Sequence, residues 1–166
     1  MSLDNTKLLD FLGEIDKELN RKIVLVAVGG TAMTLLKTKP STIDVDFTIP
    51  VKYYADFQAA LQNVQAGFQV DAYQAPMVFT TSLPEDYLKR SKPFNTGLKR
   101  IELRALHPLD IVVTKIARLD GRDKQDIVSC MKRFKITRRQ ILKRAKEIKS
   151  LADDQDFQDN LGGFFS

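Results

Sequence analysis

Apolar positions near the start of the chain recur every three or four residues. Leu8, Phe11, Leu12, Ile15 and Leu19 fall on one stripe, which predicts an amphipathic helix over 6–20. The pattern then changes. "KIVLVAV" (22–28) is a continuous run dense in β-branched residues and predicts a buried strand, stopped by Gly29 and Gly30. "TAMTLLK" (31–37) predicts a short helix with Lys37 in its last turn. After Pro40, "STIDVDFTI" (41–49) alternates, with Ile43, Val45, Phe47 and Ile49 on one side and Asp44 and Asp46 on the other. Period two is the signature of a strand.

Pro50 opens a helix whose stripe is Val51, Tyr54, Phe57, Leu61 and Val64, with Gly67 as its end. "FQVDAY" (68–73) sets Phe68, Val70 and Ala72 against Gln69, Asp71 and Tyr73, and "MVFTT" (77–81) predicts a further strand. Residues 84–97 are polar and basic and predict a long loop with some helix. "KRIELRAL" (99–106) alternates again, with Ile101, Leu103 and Ala105 opposite Arg100, Glu102 and Arg104. Beyond Pro108 every pattern is helical. One stripe is Leu109, Val112, Val113 and Ile116. A second is Ile127, Cys130, Met131 and Phe134, with Asp123 as its cap. A third is Ile141, Leu142, Ala145 and Ile148, opened by a Thr137/Gln140 capping box. The acidic end predicts either a frayed tail or a short helix that docks Phe164 and Phe165, the second favoured because two adjacent exposed phenylalanines are unfavourable. This order predicts an α/β (α+β) fold: a sheet flanked by helices over 1–106, and C-terminal helices over 107–166 packed on it as one compact unit.

Composition narrows the setting. At 43% apolar and 28% charged, the 166 residues describe an ordinary globular chain. No apolar run approaches the ~18 residues of a membrane span, and no signal peptide is visible, so no membrane role and a cytoplasmic location are expected. A single cysteine, Cys130, excludes an internal disulfide and reads as a small core residue. A single histidine, His107, excludes a multi-histidine metal site and reads as a turn residue before Pro108. The net charge of +5 permits a polyanionic partner.

The two acids of the fourth element carry the chemistry. On a strand, residues i and i+2 project together, and two ionised carboxylates so placed repel unless a cation lies between them. Mg²⁺ takes one or two carboxylates and completes its octahedron with water and substrate phosphates. A solvated strand face is the plain alternative for an isolated D-x-D. Upstream, however, "VAVGGTAM" is strand, Gly-Gly and helix, where the backbone can approach an anion closely and Thr31 adds a hydroxyl. A phosphate cradle followed by a metal-binding acid pair on the next strand would hold a nucleoside triphosphate and the ion that bridges it.

These residues carry a resemblance. "GGTAMTLLKTKPSTIDVDF" is similar to the G-G/S…T-x-D-x-D signature of the nucleotidyltransferase superfamily, the DNA polymerase β-like fold, with Thr42 at the threonine position. "HPLDIVVTKIARLDGRDKQDI" (107–127) resembles the K-x-x-R…R-D-x-x-D-[IL] segment of its AbiEii-type branch, which includes toxin components of toxin–antitoxin and phage-abortive systems. The resemblance implies a small mixed sheet of the nucleotidyltransferase type. It implies that Gly29 and Gly30 hold the phosphates, with Thr31 supplying the hydroxyl for the serine that Gly30 replaces. Asp44 and Asp46 would bind Mg²⁺. A third carboxylate on a later strand would join them and handle the attacking hydroxyl; Asp71 is the candidate and Glu102 the substitute. Lys115 would contact phosphate, and Asp123 would help position that lysine or the nucleotide. Against this, Lys115, Arg118, Arg122, Asp123 and Asp126 could simply form helix-surface ion pairs.

Between 132 and 149 nine cations face only Glu147, which is either a solvated helix face or a surface that reads phosphates of a folded RNA such as tRNA. The expected function is therefore a Mg²⁺-dependent nucleotidyltransferase using an NTP, with RNA slightly favoured as acceptor and a toxin-like role and cognate protein partner implied by the resemblance. The alternative is a nucleotide- or RNA-binding module of the same fold without catalysis, regulatory or antitoxin-like. An unrelated α/β protein with a chance motif is the remaining reading. Convergence of Asp71 or Glu102 with Asp44 and Asp46 separates the first two.

Overall fold

The computed structural model describes residues 2–165. Fifteen elements follow in the order α1 (Asn5–Glu18), β1 (Ile23–Ala27), α2 (Gly29–Leu35), β2 (Val45–Ile49), α3 (Val51–Leu61), β3 (Val70–Gln74), β4 (Met77–Val78), β5 (Thr81–Ser82), α4 (Tyr87–Arg90), β6 (Lys92–Pro93), β7 (Ile101–Ala105), α5 (Pro108–Arg118), α6 (Asp123–Phe134), α7 (Arg138–Lys146) and α8 (Gln155–Gly162). The fold is α+β, with a five-stranded mixed sheet in the order β3-β2-β1-β7-β6 and a separate β4–β5 hairpin.

The strand with the longest apolar run lies at the centre. β1 pairs antiparallel with β2 and parallel with β7, which covers its backbone on both sides. Val45, Phe47 and Ile49 of β2 are fully buried, and Phe47 meets Phe57 of α3 edge-on. The stripe of α1 buries Leu8, Phe11, Leu12 and Ile15, and α1 packs on α3. α5 is the hub of the C-terminal part: it contacts α2 and is surrounded by α6, α7 and α8. His107 caps it, its Nδ1 accepting the Leu109 N–H at 3.0 Å. Thr137 and Gln140 form the reciprocal capping box on α7. Cys130 is buried in the core, where desolvation pushes its thiol up to about 11.

Several boundaries differ from the sequence pattern. β2 starts at Val45, so Asp44 lies in a bend just before it, and Ile43 is 54% exposed rather than internal. "MVFTT" is a tight hairpin and not one strand, because Phe79 turns the chain with a φ of 52°. The 84–97 segment contains α4 and also β6, which pairs with β7 at the sheet edge. Asp123 does not cap α6 but is its first residue, with Arg122 before it. The chain end is helical, but its buried anchors are Phe157 and Leu161, while Phe164 and Phe165 are half-buried. Among the described residues no helix is long and apolar enough to cross a membrane.

Candidate active site

Two strand pairings bring the acids together. The antiparallel β1–β2 ladder continues past Ala27, where the Val28 N–H donates to the Asp46 carbonyl at 3.0 Å, so Asp46 stands beside the Gly-Gly turn. The parallel β2–β3 pair places Asp46 and Asp71 opposite each other in register. Asp44, in its bend, is fixed through its carbonyl, which accepts from Thr42 Oγ1 at 3.0 Å and Thr31 Oγ1 at 3.3 Å. Asp44, Asp46 and Asp71 all line one cavity of about 330 Å³. Burial pushes the Asp46 carboxyl up to about 7, and the neighbouring charges of Asp71 and Asp44 add to the shift against Arg118 and Lys115. Burial and the neighbouring like charges together favour the protonated form of the Asp46 carboxyl.

Gly29 has a φ of 54°, and a Cβ there would sit 2.9 Å from Phe79 Cζ. The residue is needed for its missing side chain in two ways, conformation and space. It is covered by the Phe79 ring and does not line the cavity; Gly30 does. A Cβ on Gly30 would meet Thr42 Oγ1 at 2.7 Å and lie 3.8 Å from Lys39 Nζ.

Facing the carboxylates is a chain of alternating charges. Arg118 donates twice to Asp123, at 2.9 and 2.7 Å. Lys115 Nζ donates to Asp123 at 3.0 Å and Asp126 at 3.1 Å, and Lys39 reaches Asp126 at 3.3 Å. The Lys115 and Asp123 side chains are 3% and 1% exposed, so these are not solvated helix-surface pairs. Burial opposes ionisation of Asp123, but the Arg118 hydrogen bonds and the Lys115 charge outweigh it and hold its carboxyl below the usual range. Asp123 and Asp126 also sit in the first turn of α6, where the helix dipole favours acids. The Arg118 guanidinium lies 3.8 Å from the Phe79 ring centre, and Tyr73 meets Phe79 edge-on at 5.8 Å. Lys39, Lys115, Arg118 and Arg122 all line the cavity.

The structure therefore gathers Asp44, Asp46, Asp71, Lys115, Asp123 and Gly30 around one space. Three expected members do not line it: Gly29, Thr31 and Glu102. Thr31 is buried, and its hydroxyl is engaged with Asp44 and with the Asp46 N–H at 3.0 Å, so it holds the acids in place. Glu102 is exposed on β7, paired with Arg104, and lines a different surface hollow with Lys22 and Tyr53. Arg144, counted in the basic run, is 3% exposed and clasps Asp110 with two hydrogen bonds at 2.6 and 2.9 Å. It is unavailable to a polyanion.

Lys39 and Phe79 carried no sequence signal for this site. Tyr73 did, because the alternation of "FQVDAY" places it on the face of Asp71. Among the described residues no three acidic, histidine or cysteine side chains are close enough to hold a metal by themselves. Two carboxylates and a phosphate-bearing ligand would suit Mg²⁺, which rarely uses all-protein cages.

Residues 6–160 match a family model described as a nucleotidyltransferase of unknown function (DUF6036). No curated protein and no solved structure matches the chain.

Proposed function

We propose, from the premise that the chain belongs to this family of nucleotidyltransferases of unknown function, that it moves a nucleotidyl group from an NTP to an acceptor hydroxyl. The observation that carries the reading is the register pairing of Asp71 with Asp46, beside Asp44, in one cavity. A third acid pointing elsewhere would have favoured a non-catalytic module.

Asp44 and Asp46 would hold Mg²⁺. When bound, the ion supplies charge neutralisation at the triphosphate and lowers the pKa of a coordinated hydroxyl. This chain's own residues do the rest. Lys115 and Arg118 present cationic donors to the phosphates, both oriented in advance by Asp123. Asp71, on the adjacent strand, accepts the proton of the acceptor hydroxyl; Gln69 Nε2, 3.0 and 3.1 Å from its oxygens, holds that carboxylate in place. The acceptor oxygen bonds to the α-phosphorus, the bond from that phosphorus to the bridging oxygen breaks, and pyrophosphate leaves with the electron pair.

RNA is the favoured acceptor, supported by the exposed cations of α6 and α7, among them Arg138, Arg139, Lys143 and Lys146. The toxin-like AbiEii-type reading, with a cognate protein partner, is supported by the 107–127 segment. Incubation with labelled NTPs, Mg²⁺ and pools of RNA and protein tests the proposal. Wild type should label an acceptor and Asp44→Asn/Asp46→Asn should not; equal labelling by both would refute it.

A further inference from the structure

A second cavity, of about 480 Å³, adjoins the first. It shares Lys39, Arg122 and Asp126 with the nucleotide cavity and adds Thr38, Gln125 and Ser129. The Lys39–Asp126 ion pair, at 3.3 Å and partly exposed on the lysine side, lies in the wall common to both spaces. A transfer reaction needs such an annex. The acceptor oxygen must approach the α-phosphorus in line with the departing pyrophosphate, from a side that the triphosphate does not occupy.

The chemistry of the annex differs from that of the main cavity. It offers two cations, neutral amide and hydroxyl donors, and only one carboxylate, Asp126, already claimed by Lys39 and Lys115. That composition suits a phosphodiester-linked sugar and not a second metal.

The annex opens onto one face of α6. Arg122, Gln125, Ser129, Lys132 and Arg133 are spaced three or four apart, or adjacent, and project from the same side of the helix. The opposite side carries the buried Ile127 and Cys130. Lys132 and Arg133 are exposed and have no ion-pair partner among the described residues. The helix has 12 residues, about 18 Å at 1.5 Å per residue. That spans about five nucleotides at the 3.4 Å rise of a stacked strand. No aromatic side chain lies on this stripe, so the contact would follow the backbone and tolerate sequence.

We infer that the second cavity receives the 3′-terminal nucleotide of a single-stranded polynucleotide, whose 3′ hydroxyl reaches into the first cavity, where Asp71 lies, and whose upstream phosphates run along α6 toward Lys132 and Arg133. This inference rests on the nucleotidyl-transfer reading and locates its acceptor. An acidic protein could use the same cations, but the cavity at the end of the stripe would then serve no purpose.

The test uses the full chain and short oligonucleotides, of RNA and of DNA, with a photoreactive base at the 3′ end or about three nucleotides upstream. The terminal probe should crosslink within residues 121–129 and the upstream probe within 132–135. Lys132→Glu/Arg133→Glu should weaken oligonucleotide binding at least tenfold at low salt and reduce the salt slope by about 1.4. Gln125→Glu, a single exposed change, should weaken it also, and serves if the double variant does not fold. Binding by RNA alone, DNA alone or both supports the track and identifies the preferred sugar. Unchanged affinity in these variants, crosslinks on the α7 groove, absence of oligonucleotide binding, or equal competition by polyglutamate would overturn it. Calorimetry with Mg²⁺ and NTP runs beside it: lost NTP binding with intact crosslinks would sink the transferase reading and leave the track.

Discussion

Asp46 on β2 and Asp71 on β3 are register partners in a parallel pair, and no residue separates them across the ladder. The pairing of the strands, and not any local preference, forces the two carboxylates together. The native state resists that arrangement while Asp46 is charged.

The first prediction follows from this conflict. The Asp46 carboxyl titrates at about 7 in the folded chain against 3.8 as a free side chain. A raised pKa means that the folded state holds the proton more tightly than the unfolded one. Its stabilising contribution is full below about 3.8 and is lost as pH rises through 7. Asp46→Asn removes the effect, so at pH 8 with chelator it should be more stable than wild type by about 2–4 kcal/mol. The difference should shrink toward zero near pH 4. Urea denaturation across pH checks it; parallel curves for the two proteins would contradict it.

His107 should show the opposite sign. Burial lowers its pKa from 6.5, aided by Arg90 and Arg144 and opposed by Asp110. The unfolded chain therefore takes up the proton first. The stability from the neutral ring is present above about 6.5 and is lost as pH falls below it. Protonation also removes the acceptor that caps α5. His107→Asn keeps an acceptor and cannot titrate, so its stability should fall less between pH 7 and 5, by about 0.5–1 kcal/mol. Thermal midpoints of the two proteins measure this directly.

Arg144 is the main buried tie between α7 and α5. Its removal leaves Asp110, 1% exposed, as an unpaired buried charge. Arg144→Met should destabilise the fold by about 3–5 kcal/mol. Adding Asp110→Asn should restore a large part of the loss. A double-mutant cycle by chemical denaturation reads the coupling.

Gly29→Ala should cost about 2–3 kcal/mol, part from the positive φ and part from contact with Phe79. In a Phe79→Ala background the contact vanishes and the cost should fall to about 1 kcal/mol, that of the backbone alone. An unchanged cost would place the whole effect in the backbone.

The parts of this fold that could be read from the sequence share a cause. β7 is buried on alternate residues and β1 almost throughout, so alternation in one and a continuous apolar run in the other repeat their geometry. The Thr137/Gln140 box and the Pro50 and Pro108 helix starts are local chemistry and were equally legible. Asp71 could be read as a candidate because its strand alternates, placing it with Tyr73 away from the apolar face. Its meeting with Asp46 could not, since strand order is a tertiary fact.

The misreadings have causes of the same kind. Alternation ran on through Ile43 although the strand begins at Val45. Arg144 looked like its basic neighbours because its partner Asp110 lies 34 positions away. Thr31 looked like a ligand donor, but the backbone of Asp44 and Asp46 takes its hydroxyl. Phe79 left no mark at all, since its place under Arg118 depends on a hairpin and a glycine far apart in the chain.

Nucleotidyl transfer at this site requires that the paired acids receive a metal-bound triphosphate. Calorimetric titration of each NTP in the presence and absence of Mg²⁺ measures this most directly. Wild type should bind at least one NTP only with Mg²⁺, Asp46→Asn should lose at least tenfold in affinity, and Glu102→Gln should bind as wild type does. Metal-independent binding, or no uptake of any NTP at millimolar concentration, would contradict it.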